Sequence, residues 1–127
     1  MTGGALILVV EDDPDIRESI QEILEDEGYR VATAFNGEDA LCSLREGARP
    51  DLILLDLLMP RMNAREFRDV QLKEPAWSQI PTVIMSADFQ YEEKARELGA
   101  TAGVAKPVAI DDLLAVVRAN LGTRAIG

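Results

Sequence analysis

The stretch "LILLDLLMP", residues 52–60, decides how the rest of the chain is read. Apolar side chains run from Leu52 to Met59, interrupted only by Asp56. A short apolar run without alternation suits a strand covered by helices on both faces. A lone carboxylate there is costly, because an unpartnered acid would sooner take up a proton than stay charged in an apolar site. Asp56 therefore needs an explanation other than packing.

The same kind of run recurs on both sides. "ALILVV" (5–10) is a first strand, ending at "EDDPD". Asp13 is placed to cap a helix that has Pro14 in its first turn, and its best reading is a cap rather than a ligand. Ile16, Ile20, Ile23 and Leu24 recur at helical spacing, and Gly28 closes the segment. "YRVATA" (29–34) is a second strand. Asn36 caps a helix carrying Ala40, Leu41 and Leu44, stopped at Gly47. Cys42 falls within it, as a small, partly buried residue. "DLILLD" (51–56) is the third strand, with Asp51 as its entry turn. Asn63 and Glu66 form a capping box for a helix whose apolar face includes Phe67 and Val70. Trp77 lies in the loop "EPAWSQIP". "PTVIMSA" (81–87) is a fourth strand, followed by a helix from Phe89 to Leu98 that Gly99 closes. "AGVA" (102–105) is a weak fifth strand. Ile110, Leu113, Leu114, Val117 and Leu121 form the inward face of a last helix.

Five β–α units in a row predict an α/β domain with a doubly wound parallel sheet. The 127 residues suit a single domain, its core about 5–121, with short tails at both ends. Apolar residues at 47% and charged residues at 28% argue against disorder. The net charge of −10 opposes direct contact with a phosphate backbone, so no nucleic-acid partner is expected. One cysteine excludes an internal disulfide, and the lack of histidine excludes any imidazole base, phosphate carrier or metal ligand. No apolar run is long enough to span a membrane and "MTGGA" is not a secretory signal, which favours a cytoplasmic protein.

In such folds the working site lies beyond the carboxyl ends of the strands. There the first strand delivers Glu11, Asp12 and Asp13, the third Asp56, the fourth Ser86 and the fifth Lys106. Two unit negative charges 4 Å apart repel by roughly 4 kcal/mol at an effective dielectric near 20. Such a cluster calls for protons or a cation, and a few hard oxygens beside open solvent suit Mg²⁺. Calcium is disfavoured, because no DxDxDG loop is present. Lys106 is a second counter-charge, and Ser86 can donate to an oxyanion. Together these groups make a phosphoryl-transfer site with Asp56 as the nucleophile. Taken singly, each has a plainer reading: Glu11 and Asp12 at a positive helix end, Ser86 as a cap, Lys106 as a surface charge. Their convergence on one edge favours the functional one.

The four segments "ILVVEDDPDIRE", "PDLILLDLLMP", "VIMSA" and "GATAGVAKP", in this order, resemble a response-regulator receiver domain of two-component signalling. The resemblance covers about residues 5–121. It implies a flavodoxin-like (β/α)5 fold with strand order 2-1-3-4-5. It implies that Glu11, Asp12, Asp56 and the Leu58 carbonyl hold Mg²⁺, that Asp56 accepts the phosphoryl group, and that Ser86 and Lys106 contact its oxygens. It also implies a cis Lys106–Pro107 bond and a phosphoacceptor regulator rather than an enzyme. The phosphoryl group would come from a histidine kinase or phosphotransfer protein, and the output would be contact with a further, unidentified protein. Unless cut from a longer protein, the chain reads as a stand-alone receiver.

Two residues depart from the family pattern. Ala64 stands where glycine is common, which restricts the turn. Gly103 stands where the family usually carries Tyr or Phe, three residues before the lysine. With no ring to turn, the signal is expected to travel through the loop from Ser86 to Phe89. A Mg²⁺-dependent phosphohydrolase is a weaker reading, because Leu58 replaces the second Asp such enzymes use. A non-phosphorylated interaction module is the other alternative. A flavin or dinucleotide site has no support, since "EDDPD" would repel a phosphate and no G-x-G-x-x-G is present.

Overall fold

The structure is a computed structural model, and it describes residues 4–58 and 62–126, the side chains of 122–126 excepted. Met59 and Pro60, at the end of "LILLDLLMP", lie outside the described residues, so the packing role that the sequence suggests for Met59 falls there too.

Five strands form one parallel sheet: β1 (Leu6–Val10), β2 (Arg30–Ala34), β3 (Leu52–Asp56), β4 (Thr82–Ser86) and β5 (Ala102–Ala105). Their order is β2-β1-β3-β4-β5, as the resemblance implies. The helices are α1 (Pro14–Asp26), α2 (Gly37–Arg45), α3 (Ala64–Lys73), the single turn α4 (Pro75–Ser78), α5 (Tyr91–Glu97) and α6 (Ile110–Ile126).

Strand alternation sorts the core into two layers. Ile7, Val9, Leu52, Leu54, Val83 and Met85 face one side, where Ile20 and Leu24 of α1 and Leu113, Val117 and Leu121 of α6 cover them. Leu8, Val10, Ile53, Leu55 and Ile84 face the other, under Leu41 and Leu44 of α2, Phe67 of α3 and Ala95 of α5. Both faces of the central strands are thus buried, which is why their sequences do not alternate.

The caps form as the sequence requires. Asp13 Oδ1 accepts from the amides of Asp15 and Ile16, Asn36 caps α2, and Asn63 with Glu66 closes a capping box on α3. Gly28, Gly47 and Gly99 each have positive φ just past a helix, a conformation that costs glycine little.

Five details correct or extend the sequence reading. Ile110, expected to face inward, is 55% exposed, because it opens α6 one turn before the buried stripe begins at Leu113. Cys42 is exposed, since α2 turns Ala40, Leu41 and Leu44 inward. Trp77 sits in the extra turn α4 and is buried in the core, so it anchors the segment. Ala64 is the first residue of α3 and fully buried, so that position needs no glycine. Asp51 does more than enter a strand, because its Oδ2 accepts the Leu6 amide at 2.8 Å and secures the start of β1.

Candidate functional site

The parallel register brings the acidic residues together. Val10 pairs with Leu55, so the next residues, Glu11 and Asp56, leave the sheet at the same level. They continue the faces of Ile7 and Val9 and of Leu52 and Leu54. Ser86 pairs with Ala105, and the Lys106 amide bonds the Ser86 carbonyl at 2.8 Å, which fixes the start of the lysine beside β4. The Lys106–Pro107 peptide is cis, as the resemblance implies.

Lys106 Nζ lies 3.2 Å from Asp56 Oδ1 and 3.0 Å from Glu11 Oε1. The second approach is an ion pair only, and Glu11 Oε1 is buried with no hydrogen-bond donor aligned on it. Glu11 Oε2 accepts from the Asp13 amide at 3.2 Å, and Arg17 Nη1 holds the Glu11 carbonyl at 2.8 Å. Glu11, Asp12 and Asp56 each place a carboxylate oxygen within 4.8 Å of the others. Glu11 and Asp56 are buried, whereas Asp12 is exposed at the rim. The cleft above them holds about 230 Å³, with Ser86, Leu58 and Lys106 also on its walls. Ser86 Oγ accepts the Asp88 amide at 3.0 Å, which leaves its own O–H free to donate.

The electrostatics follow from this geometry. Burial, then the charge of Glu11, push Asp56 from an ordinary value of 3.8 up to about 7, against the opposing pull of Lys106. Burial works against the charge on Lys106, but the close approach of Glu11 and the charge of Asp56 outweigh it and raise its pKa. Among the described residues, the edge holds three carboxylates against one ammonium, so their charges leave a deficit of positive charge. A hard divalent cation fits that deficit: the donors are all carboxylate oxygens, one of them buried without a donor, and the mouth is open to water.

All the residues predicted for the site lie here, with Asp13 only at its wall because its Oδ1 is spent on the cap. The sequence reading missed Arg68 and Gln71. Both are buried on α3 with no place in the cleft, and they stand one and four residues after Phe67 in "FRDVQ", the helical spacing that could have found them.

Comparison with known proteins agrees with this geometry. The model of the response regulator receiver domain matches residues 7–118. The transcriptional regulatory protein DltR of Streptococcus agalactiae is 36% identical over 114 residues, covering 88% of this chain and 50% of that protein. The DNA-binding response regulator MtrA of Mycolicibacterium smegmatis is 40% identical over 117 residues, 91% of this chain and 50% of MtrA. The chain thus spans about half the length of the curated relatives it matches. Among solved structures, the chemotaxis response regulator CheY4 of Vibrio cholerae superimposes with a TM-score of 0.84 at 29% identity, over 92% of this chain and 98% of that one. The receiver domain of NtrX from Brucella abortus gives 0.82 at 32% identity, over the same shares. The chain belongs to the response-regulator receiver domains, a family of phosphoacceptors in two-component signalling rather than turnover enzymes. Among the described residues, no helix is long and apolar enough to cross a membrane.

Proposed function

We propose that Asp56 is the phosphoacceptor of this receiver and that a histidine kinase or phosphotransfer protein is its donor. The observation that carries the reading is the Lys106 ammonium set between two buried carboxylates, 3.0 Å from Glu11 and 3.2 Å from Asp56. An Asp56 oxygen attacks the phosphorus of the donor. The bond from phosphorus to the donor's nitrogen or oxygen breaks, the donor leaves with that electron pair, and an acyl phosphate forms. Lys106 offsets charge on the transferring oxygens, and the Ser86 O–H donates to one of them. Glu11, Asp12, Asp56 and the Leu58 carbonyl would hold Mg²⁺, which when bound neutralises oxygen charge that Lys106 alone leaves uncompensated. Output passes by contact with a downstream protein.

Intact mass after incubation with Mg²⁺ and acetyl phosphate tests this reading. The parent should gain one phosphoryl group and the Asp56→Asn variant none. A parent that gains nothing would be an interaction module without phosphoryl chemistry, and a label kept by the variant would move the acceptor elsewhere.

A further inference from the structure

Helix α5 is held very differently at its two ends. At the C-terminal end, Arg68 Nε bonds the Leu98 carbonyl at 3.2 Å and Nη2 bonds that of Gly99 at 2.6 Å. A cation at this end also meets the negative pole of the helix. The guanidinium is fixed in turn by Gln71 of α3 at 2.8 Å and Thr82 of β4 at 3.3 Å.

Among the described residues, the N-terminal end has no such anchor. Gln90 offers no side-chain cap. The first turn hangs on Asp88, whose carbonyl accepts the Tyr91 amide at 3.1 Å and whose Oδ1 accepts the Gln90 amide at 2.8 Å. Asp88 itself is tied to Ser86 Oγ, 3.0 Å from its amide. One hydroxyl therefore lines the acidic cleft and secures the start of α5.

Gly103 supplies the third observation. A Cβ there would lie 3.1 Å from the Tyr91 carbonyl, 3.1 Å from Ala95 Cβ and 3.3 Å from Cδ2 of the Tyr91 ring. The first turn of α5 thus rests on bare β5 backbone, and Tyr91 lies beside the space a side chain at 103 would take. The ring also borders an open cleft of about 360 Å³ between β5 and Asp112 and Val116 of α6.

We propose that α5 is a lever, pivoted at Arg68, tripped at Ser86 through Asp88, and read out by Tyr91 moving over Gly103 toward α6. The proposal rests on the phosphoacceptor reading of Asp56. When Ser86 moves to donate to a phosphoryl oxygen, its contact with the Asp88 amide lengthens and the uncapped end of α5 loses its tether. The Arg68 end keeps its bonds, so the helix swings rather than unfolds. The aromatic side chain that β5 lacks is then provided by α5.

Amide hydrogen exchange, with intact mass read on the same sample in Mg²⁺ and acetyl phosphate, tests the lever. In phosphorylated protein, amides 88–92 should exchange about threefold faster or more, and amides 97–101 should not change. Gly103→Ala should gain the phosphoryl group as the parent does, while its amides 88–92 exchange faster before any phosphorylation, because the new Cβ presses on the Tyr91 carbonyl. A full mass gain with unchanged exchange at 88–92 would overturn the lever alone. Equal acceleration at both ends would overturn the pivot, and an unaltered Gly103→Ala would overturn the contact on which Tyr91 moves. No mass gain in the parent would overturn the phosphoacceptor reading and the lever with it.

Discussion

Arg68 and Asp56 are both charged and nearly inaccessible, at 5% and 3% exposure, and they are housed on opposite plans. Arg68 reaches four acceptors: the Leu98 and Gly99 carbonyls, Gln71 Oε1 and Thr82 Oγ1. Burial lowers its pKa, but a guanidinium so far above neutrality stays protonated. Its charge is spread over fixed dipoles, and it braces α3 and β4 against the end of α5. Asp56 has one ammonium and two neighbouring carboxylates, and burial disfavours its charge before either neighbour acts. The first cluster is nearly complete in itself. The second is short of positive charge, and a cation or a transferring group that Lys106 can grip would relieve it. Burial alone therefore does not separate structural from functional charge; the balance of partners does.

Substitutions should move the two clusters in opposite directions. Arg68→Leu should destabilise the fold most, by about 2–4 kcal/mol, because it takes the guanidinium donor from the buried Leu98 carbonyl and breaks the buried network with Gln71 and Thr82. Urea unfolding would show it, and a variant as stable as the parent would break the contrast.

Asp56→Asn should stabilise the metal-free protein by about 1–3 kcal/mol at pH 7.5, less than the full shift implies because the pairing with Lys106 weakens too. The sign follows from the raised pKa. Between an unfolded value near 3.8 and a folded value of about 7, the folded state holds the extra proton. Stability from this group is therefore present at low pH and is lost as pH rises through that window. The gap in melting temperature between variant and parent should widen from pH 5 to pH 7.5. A constant gap would mean that Asp56 titrates like an exposed acid.

Mg²⁺ should produce the smallest change. It should raise the melting temperature of the parent by a few degrees at millimolar concentration through mass action, and that of Asp12→Ala much less. Equal responses would remove Asp12 from the metal site.

The sequence revealed one of these clusters and hid the other, for physical reasons. Glu11, Asp56, Ser86 and Lys106 follow apolar strands, and strand ends in a parallel sheet share one edge, so their meeting could be deduced from order alone. Apart from its bond to Gln71, Arg68 reaches residues 14 to 31 positions away, and no local pattern announces partners that only the packing of α3 beside β4 brings near. The single turn α4 was missed because four residues leave too little periodicity to read. Tyr91 was passed over because its relation to Gly103 spans two elements, although the glycine itself was conspicuous. Boundaries suffered most where caps were weak: the helix expected from Phe89 starts at Tyr91, behind an uncapped Gln90.

Acceptance of the phosphoryl group by Asp56, and by no other carboxylate of the under-compensated edge, can be read directly. Borohydride reduction of the protein after phosphorylation in Mg²⁺ converts an aspartyl phosphate to homoserine, and peptide mass spectrometry then reads its position. Homoserine is expected at position 56 alone; homoserine at 12 or 13 instead, with residue 56 intact, would overturn the assignment of Asp56.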